Sequence, residues 1–184
     1  MISVPVSKVL PDLVQLKRKL HVQSPKEENL VRLLMDEFKL LIDPRYAFKK
    51  VKFDEPAIAT LVSTSNDLKT SLKSAKEGFI VISTLHGAVI PQEPALALYA
   101  DRILSDMAEN LAEVVSKELM KKFYDESAVL TRRYSPGYGD FCLQKQKNIF
   151  ALFSDTKLDV ELSDQFYMIP EKSISYIVGV VEGK

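Results

Sequence analysis

Apolar residues recur at helical spacing in a segment that runs from Ser24 to about Ile42. Ser24 is a suitable N-cap, Pro25 suits the first helical position, and Glu27 completes a capping box, so the sequence predicts a helix start here. The apolar positions assigned to the buried face of this helix are Leu30, Leu33, Leu34, Phe38 and Leu41. We expect Pro44 to end the helix.

A second and longer helical pattern extends from about Glu93 to Phe123, with Lys121 and Lys122 at its negative C-terminal end. Shorter or weaker helices are predicted over Asp12–Leu20, over Asn66–Ala75, and from an N-cap at Asp140 to about Phe153.

Five segments are typical of β-strands because they are rich in β-branched and aromatic residues. They are Tyr46–Phe53, Phe79–Thr84, Ala128–Tyr134, Phe166–Ile169 and Ile174–Val181. The adjacent Lys49 and Lys50 interrupt the alternation of the first strand and predict a bulge or an edge position.

Helices and strands follow one another irregularly, without βαβ alternation. This order favours an α+β fold, a single domain with a mainly antiparallel twisted sheet flanked by helices, one of them long. No composition shift marks a boundary, so we assign residues 1–184 to one domain. It has an N-terminal helical part over about 1–45 and a motif-bearing part over about 93–184.

Charge and cysteine content narrow the functional classes. Lys and Arg together number 25, as do Asp and Glu, and no basic stripe is present, so we expect neither nucleic acid nor a membrane as partner. Cys142 is the only cysteine, which excludes an intramolecular disulfide and disfavours a cysteine-based zinc site. The N-terminus lacks a signal-peptide pattern. Together these features predict a cytoplasmic protein.

The segment Arg133-Tyr-Ser-Pro-Gly-Tyr-Gly-Asp140 lies between a predicted strand and a predicted helix. Gly137 and Gly139 permit a tight turn and close approach to a ligand. A helix start at Asp140 would offer N–H groups to a carboxylate, and Arg133 could add a charge-assisted pair. On spacing alone, a plain Pro-Gly turn with Tyr138 covering the core is the competing interpretation.

Arg-x-x-Pro-Gly-Tyr resembles the S-adenosylmethionine-binding motif of the activation domain of cobalamin (vitamin B12)-dependent methionine synthase. Leu162-Ser-Asp-Gln-Phe-Tyr-Met-Ile-Pro170 and Ser173-Ile-Ser175 are similar to further segments of that family. Upstream, Tyr99-Ala-Asp-Arg102 and Ala108-Glu109 resemble its long helix. The ordered set, from Tyr99 to Val178, carries the resemblance.

The resemblance implies a stand-alone, S-adenosylmethionine-binding activation subunit acting in trans. Its partners would be the cobalamin-binding domain of a methionine synthase and a one-electron donor such as flavodoxin or a flavoprotein reductase. Arg133 would bind the ligand's carboxylate, and Glu109 would stand in for a family glutamate that aligns with Ser105. The other residues expected at the site are Pro136, Gly137, Tyr138, Gly139, Asp140, Ser173 and Ser175.

Methyl transfer from a sulfonium to reduced cobalt moves no proton, so this function requires no catalytic acid, base or nucleophile in the chain. The protein would supply orientation alone. A non-catalytic module that senses S-adenosylmethionine, or assembles a corrinoid methyltransferase system, is the alternative. A self-sufficient small-molecule methyltransferase is less favoured. His21 and His86 are isolated and show no metal-ligand spacing.

Overall fold

A five-stranded antiparallel sheet forms the centre of the fold. The computed structural model of the chain describes residues 1–181. The strand order is β1-β2-β3-β7-β4, and β5 and β6 pair separately as a two-stranded ribbon. The strands are β1 (Ile2–Ser3), β2 (Asp43–Lys52), β3 (Glu77–His86), β4 (Val129–Leu130), β5 (Glu161–Leu162), β6 (Met168–Ile169) and β7 (Ser173–Val181).

Within residues 1–181, six α-helices accompany the sheet. They are α1 (Leu13–Lys19), α2 (Pro25–Leu41), α3 (Pro56–Ser63), α4 (Asn66–Leu72), α5 (Pro94–Phe123) and α6 (Gln146–Ala151). The fold is therefore α+β with a mainly antiparallel sheet and one long helix, as the sequence predicted. None of these helices is both long and apolar enough to cross a membrane.

The position of β3 in the centre of the sheet explains why its sequence is a continuous apolar run. It pairs with β2 on one side and β7 on the other, and both faces of the sheet are covered. Phe79 and Val81 belong to the core under α2 and α5, whereas Ile80 and Ile82 belong to the core under α3, α4 and α6. Because successive side chains of a strand point to opposite faces of the sheet, β3 contributes residues to both hydrophobic cores.

The start of α2 is as predicted. Ser24 Oγ accepts from the Glu27 N–H, and the Glu27 carboxylate accepts from the Ser24 N–H, which completes the capping box. The predicted buried face is partly wrong. Val31, Leu34 and Phe38 are buried, whereas Leu33 and Leu41 are exposed. The core therefore packs against the face of α2 that carries the three buried residues.

One strand prediction needs correction, and for another the structure selects one of two predicted alternatives. The strand over Ala128–Tyr134 is reduced to β4 and an isolated bridge between Tyr134 and Ile177. The pairing of β2 with β3 is continuous, so Lys49 and Lys50 mark no bulge. Because β1 pairs only with Arg45 and Tyr46, the lysines do lie on an edge of the described sheet.

The helix predicted from Asp140 to Phe153 is wrong in its first half. Residues 136–141 form turns and bends, a 3-10 turn follows over Leu143–Lys145, and α6 begins only at Gln146. The helix α3 was not predicted, although Pro56 occupies its first turn.

Candidate functional site

The loop Arg133–Asp140 leaves the sheet beside β7. Tyr134 exchanges two backbone hydrogen bonds with Ile177, at 2.9 and 2.8 Å, which fixes where the loop begins. The chain then turns back, with the Gly137 N–H donating to the Phe141 carbonyl at 2.7 Å. Gly137 and Gly139 have φ values of +96° and +51°, a region that favours glycine. The loop shape is therefore encoded by its glycines and anchored by Phe141, which is fully buried.

Asp140 has a different role from the predicted one. Its carboxylate accepts from the Ser65 hydroxyl and from the N–H groups of Asn66 and Asp67, so it occupies the N-terminus of α4. These hydrogen bonds hold the pKa of Asp140 below its usual range, and the bond from Ser65 has the largest effect. Asp140 thus begins no helix of its own. It clamps the loop onto the rest of the fold.

Asp67 completes the clamp from the other side. Its carboxylate accepts from the Asp140 N–H at 3.3 Å and from the Tyr134 hydroxyl at 3.1 Å. Burial, and then the bond to Asp67, raise the pKa of Tyr134. A Cβ at Gly139 would lie 2.1 Å from Asp67 Oδ2, so the clamp leaves room only for glycine there.

Arg133 points from this loop toward α5. Its Nη2 lies 3.1 Å from Glu109 Oε2, and its guanidinium carbon lies 5.5 Å from the ring centroid of Tyr176. The Arg133 side chain is 29% exposed and that of Glu109 is 58% exposed. A cation that is stacked on an aromatic ring and only partly solvated keeps its orientation and remains able to bind an anion.

Tyr176 supports this arrangement from the core. The residue is completely buried, and its hydroxyl donates to the Ala112 carbonyl and accepts from the Ser116 hydroxyl, both at 2.9 Å. Burial raises the pKa of the Tyr176 phenol well above its usual value. The ring under Arg133 is therefore neutral and held by α5.

Two neighbouring clefts open around these residues. The first has a cavity volume of about 220 Å³ and is lined by Glu109, Arg132, Arg133 and Tyr176 among others. The second has a volume of about 280 Å³ and a largely apolar wall that includes Leu143, Phe166, Tyr167 and Met168. Glu109, Ser135, Tyr138 and Ile174 line both clefts, so they are adjacent. A charged cleft beside an apolar one suits a ligand with an ionic end and a ring system.

Most of the predicted site residues lie at these clefts. The structure brings together Arg133, Glu109, Tyr138, Pro136, Ser173 and Ser175. Neither cleft is lined by Gly137, Gly139 or Asp140. These residues set the shape of the loop behind the clefts and attach it to α4. His21 and His86 are both exposed and lie outside the two clefts. Ligand contact by any of the predicted residues stays a prediction.

The two predicted serines are already engaged with the protein. The Ser173 hydroxyl lies 2.8 Å from Thr84 Oγ1 and 2.6 Å from the Pro170 carbonyl, and the Ser175 hydroxyl donates to Gln146 Oε1. These bonds fix the start of β7 against the second cleft. The two serine hydroxyls therefore have a structural role in the wall of the second cleft, and other groups would have to contact a ligand.

Sequence reasoning missed Tyr176 and Gln146 as parts of the site. In the sequence, Tyr176 occupies an ordinary apolar position of a predicted strand. Its place beneath Arg133 follows only from the β-bridge between Tyr134 and Ile177, which brings the loop to β7. Gln146 carried a weak signal, because it is a polar residue at a position that helical spacing places with Ile149 and Phe153 on the buried face.

Comparison with known proteins identifies the fold. No protein-family model and no curated protein matches the sequence. Among solved structures, the chain is similar to a crystal structure of the MetH reactivation domain bound to AdoHcy, with a TM-score of 0.57 and 13% sequence identity. The match covers 97% of this chain and 77% of that one. The chain therefore has the fold of the activation domain, as the resemblance of its motifs implied.

Proposed function

We propose that this chain binds S-adenosylmethionine across the two clefts and serves as an activation module for a corrinoid methyltransferase. The observation that carries the proposal is the Arg133–Glu109 pair, in which Arg133 stacks on Tyr176 and Glu109 lines the apolar cleft. It occurs on the fold of a domain that has been crystallised with AdoHcy, the demethylated form of the same ligand.

The charges of the first cleft fit the amino-acid end of such a ligand. Arg133 offers a planar set of N–H donors to a carboxylate, and its stacking on Tyr176 already restricts its rotamers. Glu109 lies 3.1 Å away and offers a negative charge to the ammonium or the sulfonium of the ligand. A carboxylate bound at Arg133 would compete with Glu109 for the guanidinium, which leaves Glu109 free to face the positive groups.

The second cleft suits the adenosine end. Its wall is mainly apolar and aromatic, and Tyr138, which lines both clefts, is 59% exposed at their junction. An adenine ring would bury apolar surface there, while the sulfonium would lie near Glu109 at the shared wall. In this arrangement the methyl group stays close to the open side.

The activation role adds two partners. A cobalamin-binding domain of methionine synthase would carry the corrinoid, and flavodoxin or a flavoprotein reductase would supply one electron. The corrinoid, when reduced in its partner protein, would supply the nucleophile that accepts the methyl group, with S-adenosylhomocysteine as the leaving group. The residues of this chain bind and orient the sulfonium, and no proton has to be moved.

Binding is tested by calorimetric titration of the wild type, Arg133→Met and Arg32→Met with S-adenosylmethionine and S-adenosylhomocysteine. Arg32 is a suitable control because it pairs with one glutamate, Glu28, on the surface of α2, outside both clefts. Loss of a charge-assisted hydrogen bond predicts roughly 10- to 100-fold weaker binding for Arg133→Met, and no change for Arg32→Met. Absence of binding by the wild type at millimolar ligand would refute the proposal.

The activation role requires a second assay. The chain is mixed with a cobalamin-loaded methionine synthase that lacks its activation domain, a reductant, and methyl-labelled S-adenosylmethionine. Label in methylcobalamin is the expected result, and Arg133→Met should reduce it when the ligand concentration is below saturation. Tight binding without transfer of label would contradict activation and favour a sensing or assembly module.

A further inference from the structure

Among the residues that the structure describes, Gln146 is the one enclosed amide side chain in the wall of the second cleft. It begins α6, it is 4% exposed, and it lines the cleft together with Leu143, Phe166 and Met168. A buried amide in such a wall has a free-energy cost unless both of its ends find hydrogen-bond partners.

One end of the amide has a partner within the protein. Oε1 accepts from the Ser175 hydroxyl at 2.5 Å, and Ser175 is itself 1% exposed in the centre of β7. This bond fixes the orientation of the amide, because the hydroxyl donates to the oxygen and leaves Nε2 on the other side.

The other end faces the cleft. Within residues 1–181, Nε2 makes no hydrogen bond to the protein. Nε2 is also not fully buried. Arg102 Nε is the only fully buried side-chain nitrogen or oxygen in that range that lacks a hydrogen-bond partner, so Nε2, which also lacks one, must be partly accessible. Nε2 is therefore a donor that reaches the cavity of the second cleft.

We infer that Gln146 determines the specificity of this cleft by donating a hydrogen bond from Nε2 to a ring nitrogen of the adenine. The inference rests on the proposed function. A flat heteroaromatic ring is the part of the ligand that matches the apolar wall, and the ring nitrogens are its acceptors. Because Ser175 holds Oε1, Gln146 selects an acceptor at this point, and a ring that lacks one leaves the buried donor unpaired.

The test combines ligand analogues with a pair of variants. The wild type, Gln146→Leu and Gln144→Leu are titrated with S-adenosylhomocysteine and with its 1-deaza, 3-deaza and 7-deaza analogues, in which one ring nitrogen is replaced by carbon. Gln144 is a matched control because it is exposed, lies two residues earlier, and lines neither cleft. Circular dichroism confirms that each variant is folded.

The expected result is that one deaza analogue binds the wild type and Gln144→Leu roughly fivefold to tenfold more weakly than the parent compound. Gln146→Leu should bind the parent more weakly by a similar factor and should no longer distinguish that analogue. Equal binding of all analogues by the wild type would overturn the inference, and this measurement holds even if Gln146→Leu does not fold. Absence of binding by the parent compound itself would instead refute the proposed function.

Discussion

Removal of one buried oxygen atom, in Tyr176→Phe, tests whether the core holds the ring beneath Arg133 as the structure indicates. The substitution leaves the ring and its packing in place and deletes two hydrogen bonds, to Ala112 and from Ser116. In the variant the Ser116 hydroxyl, whose oxygen lies 2.7 Å from the Ala112 carbonyl oxygen, can donate to that carbonyl instead, so no acceptor is left unpaired.

The size of the effect follows from a net loss of one hydrogen bond, because the Ser116 hydroxyl replaces the tyrosine at the Ala112 carbonyl. At a net value of roughly 0.5–1.5 kcal/mol, we expect the free energy of unfolding to fall by that amount. For a chain of this length, that loss corresponds to a decrease in Tm of roughly 1–6 °C. Ligand affinity should change by less than about threefold, because the ring that stacks on Arg133 remains.

Urea unfolding and calorimetric titration measure the two effects separately. Tyr46→Phe is the matched control, since Tyr46 is 7% exposed but its hydroxyl makes no hydrogen bond within residues 1–181. A double-mutant cycle with Ser116→Ala should show coupling, because both residues share the Ala112 carbonyl. Equal stability of the wild type and Tyr176→Phe, or additive effects in the cycle, would refute the reasoning.

The same variant carries a pH signature. Burial raises the pKa of Tyr176 in the folded state, whereas an unfolded tyrosine titrates near about 10. A raised pKa means that the stabilisation is complete below pH ~10 and is lost as the pH rises above it. The difference in stability between the wild type and Tyr176→Phe should therefore shrink between about pH 8 and pH 11. A constant difference would contradict the burial of a neutral phenol.

Two further predictions concern helix starts. Asp140→Ala should weaken S-adenosylhomocysteine binding severalfold and speed amide exchange at the first turn of α4, because the clamp that holds the loop is lost; unchanged exchange there would contradict the clamp. The lowered pKa of Asp140 means that this stabilisation persists in the wild type until the pH falls below about 3.9. Ser24→Ala should cost about 1 kcal/mol of unfolding free energy without altering ligand binding, and a neutral result in urea unfolding would argue against the capping box.

The candidate site shows where sequence reasoning worked and where it failed. Arg133 and Tyr138 could be selected from one short segment because its Arg-x-x-Pro-Gly-Tyr pattern resembles a known motif, whereas spacing alone left a plain Pro-Gly turn as an alternative. Asp140 was misassigned for a physical reason. An aspartate just before a segment with helical apolar spacing satisfies the rule for an N-cap, but the rule does not say which helix receives the carboxylate. The recipient is α4, which lies more than sixty residues earlier in the chain.

Gln146 and Ser175 illustrate the same limit. Ser175 lies between apolar neighbours and Gln146 lies in a polar run, and a single sequence cannot pair them. Their hydrogen bond exists because α6 packs on the face of β7 that carries Ser175. Which nitrogen or oxygen then reaches a ligand depends on that packing.

By itself, the sequence determined the periodic parts of this protein. The capped α2, the long α5, the buried β3 and the α+β order all follow from local patterns, in which each residue's preference is set by neighbours a few positions away. Tertiary structure alone decided that Tyr176 lies under Arg133, that Asp140 caps α4, and that Gln146 faces the second cleft. Those contacts join residues tens of positions apart, and their geometry is fixed only when the sheet registers and the two cores pack.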